Sequence, residues 1–297
     1  MMILIIHREA LVSVAGKVDL HFHTEYSGDS FIPAYAIIPA AERLGLRAVA
    51  KADHDSVSGC AELLATARGT SVEYIPAVEL STSEHFHILG YFVNPENAEL
   101  ISATEREKQY GRDILKARLL HWQTNGSPYH GDIGKLIEIG KNLRPQGEIS
   151  LKQIALTLVG MGVFADEASA RADLAVRTLA FTPPEHSPPT AVDAIDLIRR
   201  AGGVAVAAHP KRGSKPGDGR PDVADIQRLI KAGIVGVECF NLKVMSADEQ
   251  AFWSDFCRER NLAATGGTDW HGYVEEWNIV LETVTPYDAV EALKSSL

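Results

Sequence analysis

The segment Val18–Thr24 constrains this chain most, because it places two histidines two positions apart at the end of a predicted β-strand. Side chains at positions i and i+2 leave a strand on the same face, so His21 and His23 are expected to point at one place. Leu20 and Phe22 then face the packed side. Neutral imidazole is the commonest metal ligand among side chains. The motif alone leaves two interpretations open, a metal site or two hydrogen-bonded core histidines.

The composition limits the class of protein. A net charge of −10 argues against broad binding to a nucleic-acid backbone, although bound divalent cations would reverse the charge locally. Cys60, Cys239 and Cys257 form no CxxC pair, so we predict neither a disulfide framework nor a zinc knuckle, and we expect a cytoplasmic location. No stretch approaches the roughly 18 apolar residues of a membrane span, so we expect no membrane partner.

Segments with strand-like and helix-like patterns alternate along most of the chain. The alternation covers residues 18–100 and resumes over 191–297, which predicts about seven parallel strands joined by helices, as a barrel or an open sheet. Residues 101–190 are charged, helical in pattern and end in a proline-rich run, so we predict a helical insertion that caps the site. Residues 1–17 are predicted to be an N-terminal extension rather than a signal peptide.

Polar side chains able to bind metal recur at the predicted strand ends. They are His21, His23, Asp53, His54, Glu79, His87, His209, Asp269 and His271. Because parallel strands end at the same edge of a sheet, we expect these groups to converge on one rim. So many titratable groups in one place are costly without a counter-ion, so the pattern favours bound metal ions.

Taken together, these motifs resemble the polymerase-and-histidinol-phosphatase (PHP) family of metal-dependent phosphoesterases. The matching pieces are Asp19-Leu20-His21-Phe22-His23-Thr24, Ala52-Asp53-His54-Asp55, the Glu79 segment, His87-Ile88-Leu89-Gly90, Ala208-His209-Pro210 and Gly267-Thr268-Asp269-Trp270-His271. They occur in the family's order and cover the chain outside the insertion. The resemblance implies a distorted (β/α)7 barrel with an inserted helical subdomain. It also implies two to three divalent metal ions, and Mn, Fe and Zn all suit mixed histidine and carboxylate ligands.

The resemblance further implies how the ligands divide among three metals. The first metal would bind His21, His23, Glu79 and Asp269, and the second would bind His87 and His209 with Glu79 as the bridge. The third would bind His54, His271 and Asp29. The alternative interpretation of Asp29 is a turn residue that binds no metal. Some family members have a histidine in this loop instead.

The implied reaction is hydrolysis of a phosphate ester by a metal-activated hydroxide. His54 and His271 are expected to protonate the leaving group where the third metal is absent, and Asp53 is expected to orient a neighbouring ligand. Four basic side chains are candidate phosphate contacts, namely Lys211, Arg212, Lys152 and Arg177. For the pair that follows Pro210, an exposed loop without a ligand is the alternative.

The position of the insertion resembles a subgroup that acts on 3′,5′-bisphosphonucleosides or short RNA ends. We therefore predict a small phosphorylated, nucleotide-like substrate, without stable binding of duplex nucleic acid, and leave the oligomeric state open. One alternative is a histidinol-phosphate-type or general phosphomonoesterase. Another is a non-catalytic PHP module, which the complete ligand set disfavours. An amidohydrolase is disfavoured because no lysine occupies a bridging position.

Overall fold

The protein is described here by a computed structural model of residues 16–142, 148–183, 185–212, 219–241, 243–272 and 283–297. Most of the predicted extension 1–17 therefore lies outside the described residues. Within them the chain has a mixed α/β fold with eight strands, one more than the sequence pattern predicted.

The strands form two sheets. The first is parallel and contains β1 (Val18–Phe22), β2 (Ala48–Lys51) and β3 (Glu73–Tyr74) in that order. The second contains, in order, β4 (Ala77–Ser81), β5 (His87–Tyr91), β6 (Val204–Ala207), β7 (Gly236–Asn241) and β8 (Ala263–Gly267). Strands β6, β7 and β8 are parallel to one another.

The prediction of parallel strands throughout is wrong for β5, which runs antiparallel to both β4 and β6. Only residues 82–86 join β4 to β5. A connection this short reverses the chain, whereas parallel neighbours need a crossover of about a dozen residues or more. His87 is consequently the first residue of its strand, and it reaches the same rim as the carboxyl ends of the parallel strands.

The mixed α/β class is confirmed, but a closed barrel is not. In the described ranges the two sheets meet through isolated bridges, Phe22 with Trp270 and His54 with Glu79, instead of continuous ladders. The backbone amide of Asp269 also donates to the carbonyl of His21 at 2.6 Å. The joints between the sheets therefore lie at the rim where the candidate ligands gather.

Six helices pack around the sheets, namely α1 (Ile37–Leu44), α2 (Cys60–Ala67), α7 (Ala191–Arg200), α8 (Val223–Ala232), α9 (Ala247–Arg260) and α10 (Asp288–Lys294). Their ends follow local sequence rules. Gly45 adopts the left-handed conformation (φ 70°) that ends α1 where predicted, and Thr190, Asp222 and Ser246 each form a capping box. Among the described helices, none is both long and apolar enough to span a bilayer.

Four further helices lie between β5 and α7, in the range predicted to be an insertion. They are α3 (Ala98–Thr124), α4 (Ile133–Asn142), α5 (Leu151–Gly160) and α6 (Glu167–Arg177). They share an apolar cluster separate from the two clusters of the sheets, with Leu119, Trp122, Leu136 and Leu158 fully buried. Helix α3 begins at Ala98, just before the predicted boundary at residue 101. The division into domains stays a prediction.

The end of β8 packs against β1 with no room for a side chain. An ideal Cβ on Gly267 would lie 2.6 Å from Cβ of His21, whereas one on helical Gly111 would meet nothing within 4 Å. We expect Gly267→Ala to lower the free energy of unfolding by about 1–3 kcal/mol through overpacking. Gly111→Ala should raise it by up to about 1 kcal/mol. Chemical denaturation of both variants checks this, and equal stability of the two would contradict it.

Candidate metal centre

The carboxylate of Glu79 lies at the middle of the site. Glu79 is in β4, is 1% exposed and is surrounded by the imidazoles of His21, His23, His54, His87 and His209. Its Oε1 lies 2.9 Å from Nδ1 of His87 and 3.1 Å from Nε2 of His209. These two histidines come from opposite sides of the insertion in sequence, so the fold has to form before they meet.

The other oxygen of Glu79 faces the first part of the chain. Oε2 lies 3.2 Å from Nε2 of His21, 3.3 Å from Nε2 of His23 and 3.2 Å from Nδ1 of His54. One carboxylate thus separates two groups of imidazoles, one group on each oxygen. This is the arrangement that a bridging ligand between two metal ions requires.

Two aspartates complete the cluster. Oδ1 of Asp269 lies 3.2 Å from Nε2 of His23 and 3.8 Å from Nε2 of His21. Oδ2 of Asp29 lies 3.1 Å from Nε2 of His271 and 3.5 Å from Nε2 of His54. All nine side chains that the family resemblance named as ligands therefore meet at one rim.

The donor atoms form three overlapping groups, each within 4.8 Å. The groups are His21, His23 and Glu79; His54, Glu79 and His87; and His23, Asp29, His54 and His271. His54 belongs to two of them, because its Nδ1 faces Glu79 and its Nε2 faces Asp29. The resemblance placed His54 with the third metal alone, so its position between two groups is a new feature. Which donor binds which metal stays a prediction.

The donor set fits metal ions better than it fits hydrogen bonding. Nε2 of His23, Nδ1 of His54 and Nδ1 of His87 are buried and make no hydrogen bond, although carboxylate oxygens lie 2.9–3.3 Å away. Two ligand atoms, each about 2.1 Å from one metal at roughly 90–110°, lie about 3.0–3.4 Å apart. Short separations without hydrogen-bond geometry are therefore expected where a cation lies between the two atoms.

The ionisation states of Glu79, Asp269 and His23 suit cation binding. Burial by itself raises the pKa of the Glu79 carboxyl, but neighbouring imidazoles, His54 foremost, hold it well below its usual range. Asp269 shows the same balance, with His21 as the main opposing group. Burial lowers the pKa of His23 to about 4, so this imidazole is neutral at pH 7. Ionised carboxylates and a neutral imidazole are the forms that bind metal.

Two of the candidate ligands have unusual backbone conformations. His209 (φ 25°) and Asp269 (φ 51°) lie at positive φ, which costs a residue with a side chain about 1–3 kcal/mol. Hydrogen bonds hold both residues in place, since the His209 amide donates to Oε2 of Glu238 at 2.7 Å and the Asp269 amide donates to the His21 carbonyl. The surrounding structure thus stabilises the conformations that turn these two side chains toward the centre.

Glu238 is a buried part of the site that the sequence interpretation missed. Its Oε1 lies 2.8 Å from Nδ1 of His21, and its Oε2 accepts the His209 amide. A carboxylate on the far nitrogen of a ligating histidine orients the ring and makes it more basic. The available signal was an acid inside the apolar strand Gly236–Asn241, but the sequence did not show which histidine it would meet.

Lys243 was also missed. Its Nζ lies 2.8 Å from Nδ1 of His271 and 3.1 Å from the Asp269 carbonyl. A lysine in a loop after a strand has no distinctive sequence pattern, so nothing in the chain indicated its place. Its positive charge lies beside the group of donors that contains Asp29.

Asp53 does not face the cluster through its carboxylate. Oδ1 accepts the Thr24 amide, and Oδ2 accepts the Thr24 hydroxyl at 2.7 Å and the buried Lys51 ammonium at 2.6 Å. These bonds hold the turn that directly follows His23. Orientation of a neighbouring ligand by Asp53 stays a prediction.

Of the two predicted phosphate contacts in the insertion, Lys152 lies near the rim and Arg177 does not. Nζ of Lys152 lies 5.9 Å from the ring centroid of Phe31, whose amide donates to the His271 carbonyl, so this insertion residue reaches the rim. Arg177 instead bonds Asp173 (2.7 Å) and the Asn125 carbonyl (3.0 Å), both within the insertion.

Lys211 and Arg212, the two candidates after Pro210, differ in their exposure. Lys211 is buried, which is contrary to the alternative of an exposed loop residue. Arg212 is exposed and its guanidinium lies 5.0 Å from the ring centroid of Phe252 on α9. Phosphate binding by either residue stays a prediction.

A mixed α/β fold with histidines and carboxylates clustered at one rim is suited to binding metal ions. A family profile described as "PHP domain" matches residues 19–138. The first part of the chain thus resembles the PHP family over the residues that contain the His21, His54 and Glu79 motifs.

Relatives cover most of the chain at low identity. A 5′-3′ exoribonuclease of Haemophilus influenzae is 26% identical over 87% of this chain and 92% of its own length. A 3′,5′-nucleoside bisphosphate phosphatase of Chromobacterium violaceum is 28% identical, over 86% and 87%. These relatives share the class of reaction but have different named substrates.

Solved structures show the same fold. A Bifidobacterium adolescentis protein, classed as a metal-dependent phosphoesterase, superimposes with a TM-score of 0.73 at 23% identity and covers 94% of this chain and 96% of its own. A Chromobacterium violaceum protein described as an amidohydrolase with bound sulfate gives a TM-score of 0.69 at 25% identity, with the same coverage.

Replacing the buried acid behind His21 tests its role. We expect Glu238→Gln to weaken metal binding by about 10–100-fold, because the amide cannot orient His21 as the carboxylate does. Titration of metal-free protein with Zn²⁺ measures this. Glu99→Gln, at an exposed pair with Arg200, is the control and should bind metal like the wild type. Wild-type affinity in a folded Glu238→Gln protein would remove Glu238 from the site.

Proposed function

We propose that the chain hydrolyses a phosphate ester of a small nucleotide-like substrate, such as the 3′-phosphate of a 3′,5′-bisphosphonucleoside. The observation that most supports this proposal is Glu79, a buried carboxylate with imidazole nitrogens at both of its oxygens. A bridging carboxylate between two clusters of nitrogen donors is suited to a pair of metal ions. Metal pairs recur in enzymes that transfer phosphoryl groups.

The ligands proposed for two to three metal ions are the nine that meet at the rim, namely His21, His23, Asp29, His54, Glu79, His87, His209, Asp269 and His271. When bound, divalent ions lower the pKa of a water molecule and act as Lewis acids toward phosphate oxygens. The identity of the metals, and a third occupied site, are part of the proposal.

The charges of the site support the proposal that phosphate binds there only when metal ions are bound. Three carboxylates, those of Glu79, Asp269 and Asp29, lie within the cluster and would repel a phosphate dianion at this distance. Cations between the carboxylates and the substrate reverse the sign of that interaction. The chain alone is therefore unsuited to bind phosphate at the rim, and the loaded site is suited to it.

Side chains on the open side of the cluster are proposed to handle the proton of the leaving group. The His54 side chain is 28% exposed, whereas those of His21 and His23 are fully buried. A proton on Nε2 of His54 or of His271 can pass to the leaving oxygen when that nitrogen is not bound to metal. Lys243, next to His271, adds positive charge where the leaving oxygen becomes negative.

Removal of single nucleotides from short RNA is a second candidate function. Relatives of Haemophilus influenzae and Escherichia coli are named 5′-3′ exoribonucleases, the latter at 28% identity over 65% of this chain. Lys152 near Phe31 provides a cation at the rim for a further phosphate. In either case the proposed substrate is a phosphorylated nucleotide or its chain, and a cytoplasmic location stays a prediction.

Metal analysis combined with phosphate release tests the proposal. We expect purified protein reloaded with Mn²⁺ to bind about two or three metal ions. It should release phosphate from adenosine 3′,5′-bisphosphate much faster than from AMP, and EDTA should abolish the activity. Faster turnover of histidinol phosphate, or of short RNA, would move the assignment to those alternatives. Bound metal without any turnover would leave only a metal-binding module.

Substitution of the bridging residue is the sharper test. Glu79→Gln removes one negative charge and one oxygen donor from the centre of the cluster, so we expect loss of at least one metal ion per chain. Phosphate release should fall by at least about a hundredfold. Glu99→Gln again serves as the exposed control. Normal activity and metal content in Glu79→Gln protein would contradict the proposed centre.

A further inference from the structure

A second feature of the rim is an open groove between the β4–β5 hairpin and the insertion. Its volume is about 390 Å³, and its lining includes Asp55, His85, His87, Glu107, Tyr110 and His186. His87 forms the inner wall and has its Nδ1 2.9 Å from Glu79. The groove therefore begins at the metal centre and extends outward beneath the insertion.

The outer wall of the groove is a stacked pair of aromatic rings. Tyr110 on α3 and His186 from the proline-rich run lie with ring centroids 3.6 Å apart and planes 16° from parallel. Nε2 of His186 lies 2.7 Å from Oε2 of Glu107, one turn before Tyr110 on α3. The contact with Glu107 thus fixes the position of the His186 ring. The stacked pair lines the same groove as His87, a proposed metal ligand.

The two carboxylates that line the groove disfavour a second phosphate. Asp55 and Glu107 both line the groove, and Asp55 accepts hydrogen bonds from the Ser81 amide (3.0 Å) and hydroxyl (2.7 Å). An anionic group is disfavoured beside these acids, whereas a neutral planar ring with N–H donors is not. Shape and charge together match the base of a nucleotide.

We infer that this groove binds the nucleobase of the substrate, stacked against the Tyr110–His186 pair, while the scissile phosphate lies at the metal centre. The inference rests on the proposed function, and it deepens that function by making the base part of what is recognised. Stacking on aromatic rings is tolerant of base identity, because every base has a π-face. The groove then separates nucleotides from phosphate esters that lack a base.

A fluorescent base tests the groove independently of turnover. The fluorescence of 2-aminopurine riboside 5′-monophosphate should be quenched when the base stacks in Zn²⁺-loaded wild-type protein. His186→Ala should weaken this binding by about tenfold, a typical loss for one stacked base. His186→Phe keeps a planar ring and should keep the quenching. His130→Ala, at an exposed histidine elsewhere in the insertion, is the matched control.

Kinetics complete the test. His186→Ala should raise KM about tenfold for adenosine 3′,5′-bisphosphate and leave KM for glycerol phosphate unchanged. Absence of quenching in the wild type, or wild-type binding by His186→Ala, would overturn the inference. Quenching that depends on the His186 ring in a protein without phosphatase activity would support the groove and overturn the proposed reaction instead.

Discussion

The site depends on a single buried charge. Glu79 would be strongly disfavoured as an ion at 1% exposure without the imidazoles around it, and these imidazoles come from strands of both sheets or from the segments that directly follow them. The backbone of Glu79 also forms an isolated β-bridge with His54, so this residue connects the two sheets as well. Assembly of the cluster and the contact between the two sheets are therefore coupled, and damage to either is expected to affect the other.

Much of this site could be predicted from local sequence. The spacing of His21 and His23 specifies a common face, and a histidine or acid directly after an apolar run specifies a strand end. The nine candidate ligands follow from these two rules together with the family motifs. The helix ended by Gly45 and the helical range of the insertion follow from equally local patterns.

What the sequence could not show are contacts between distant positions. Glu238 and His21 are 217 residues apart, and nothing near either one indicates the pairing. Lys243 has the sequence features of any loop lysine, and its contact with His271 depends on the pairing of β7 with β8. The direction of β5 was missed because the alternation of strands and helices continues on both sides of it, and the short connection over residues 82–86 was the signal that counted.

The reversed β5 has a consequence for how the insertion is held. Because β5 runs away from the rim, the chain leaves it at the opposite end of the sheet, where Glu99 pairs with Arg200 at 2.7 Å. Helix α3 spans 27 residues, about 40 Å, and Lys108 along it contacts Ser58 in the loop after His54. Helix α3 thus connects the far end of the sheet to the insertion, so the length of this helix sets the distance of the insertion from the candidate metal ligands. A longer or shorter helix α3 would therefore raise or lower the insertion relative to the ligand cluster by about 1.5 Å per residue.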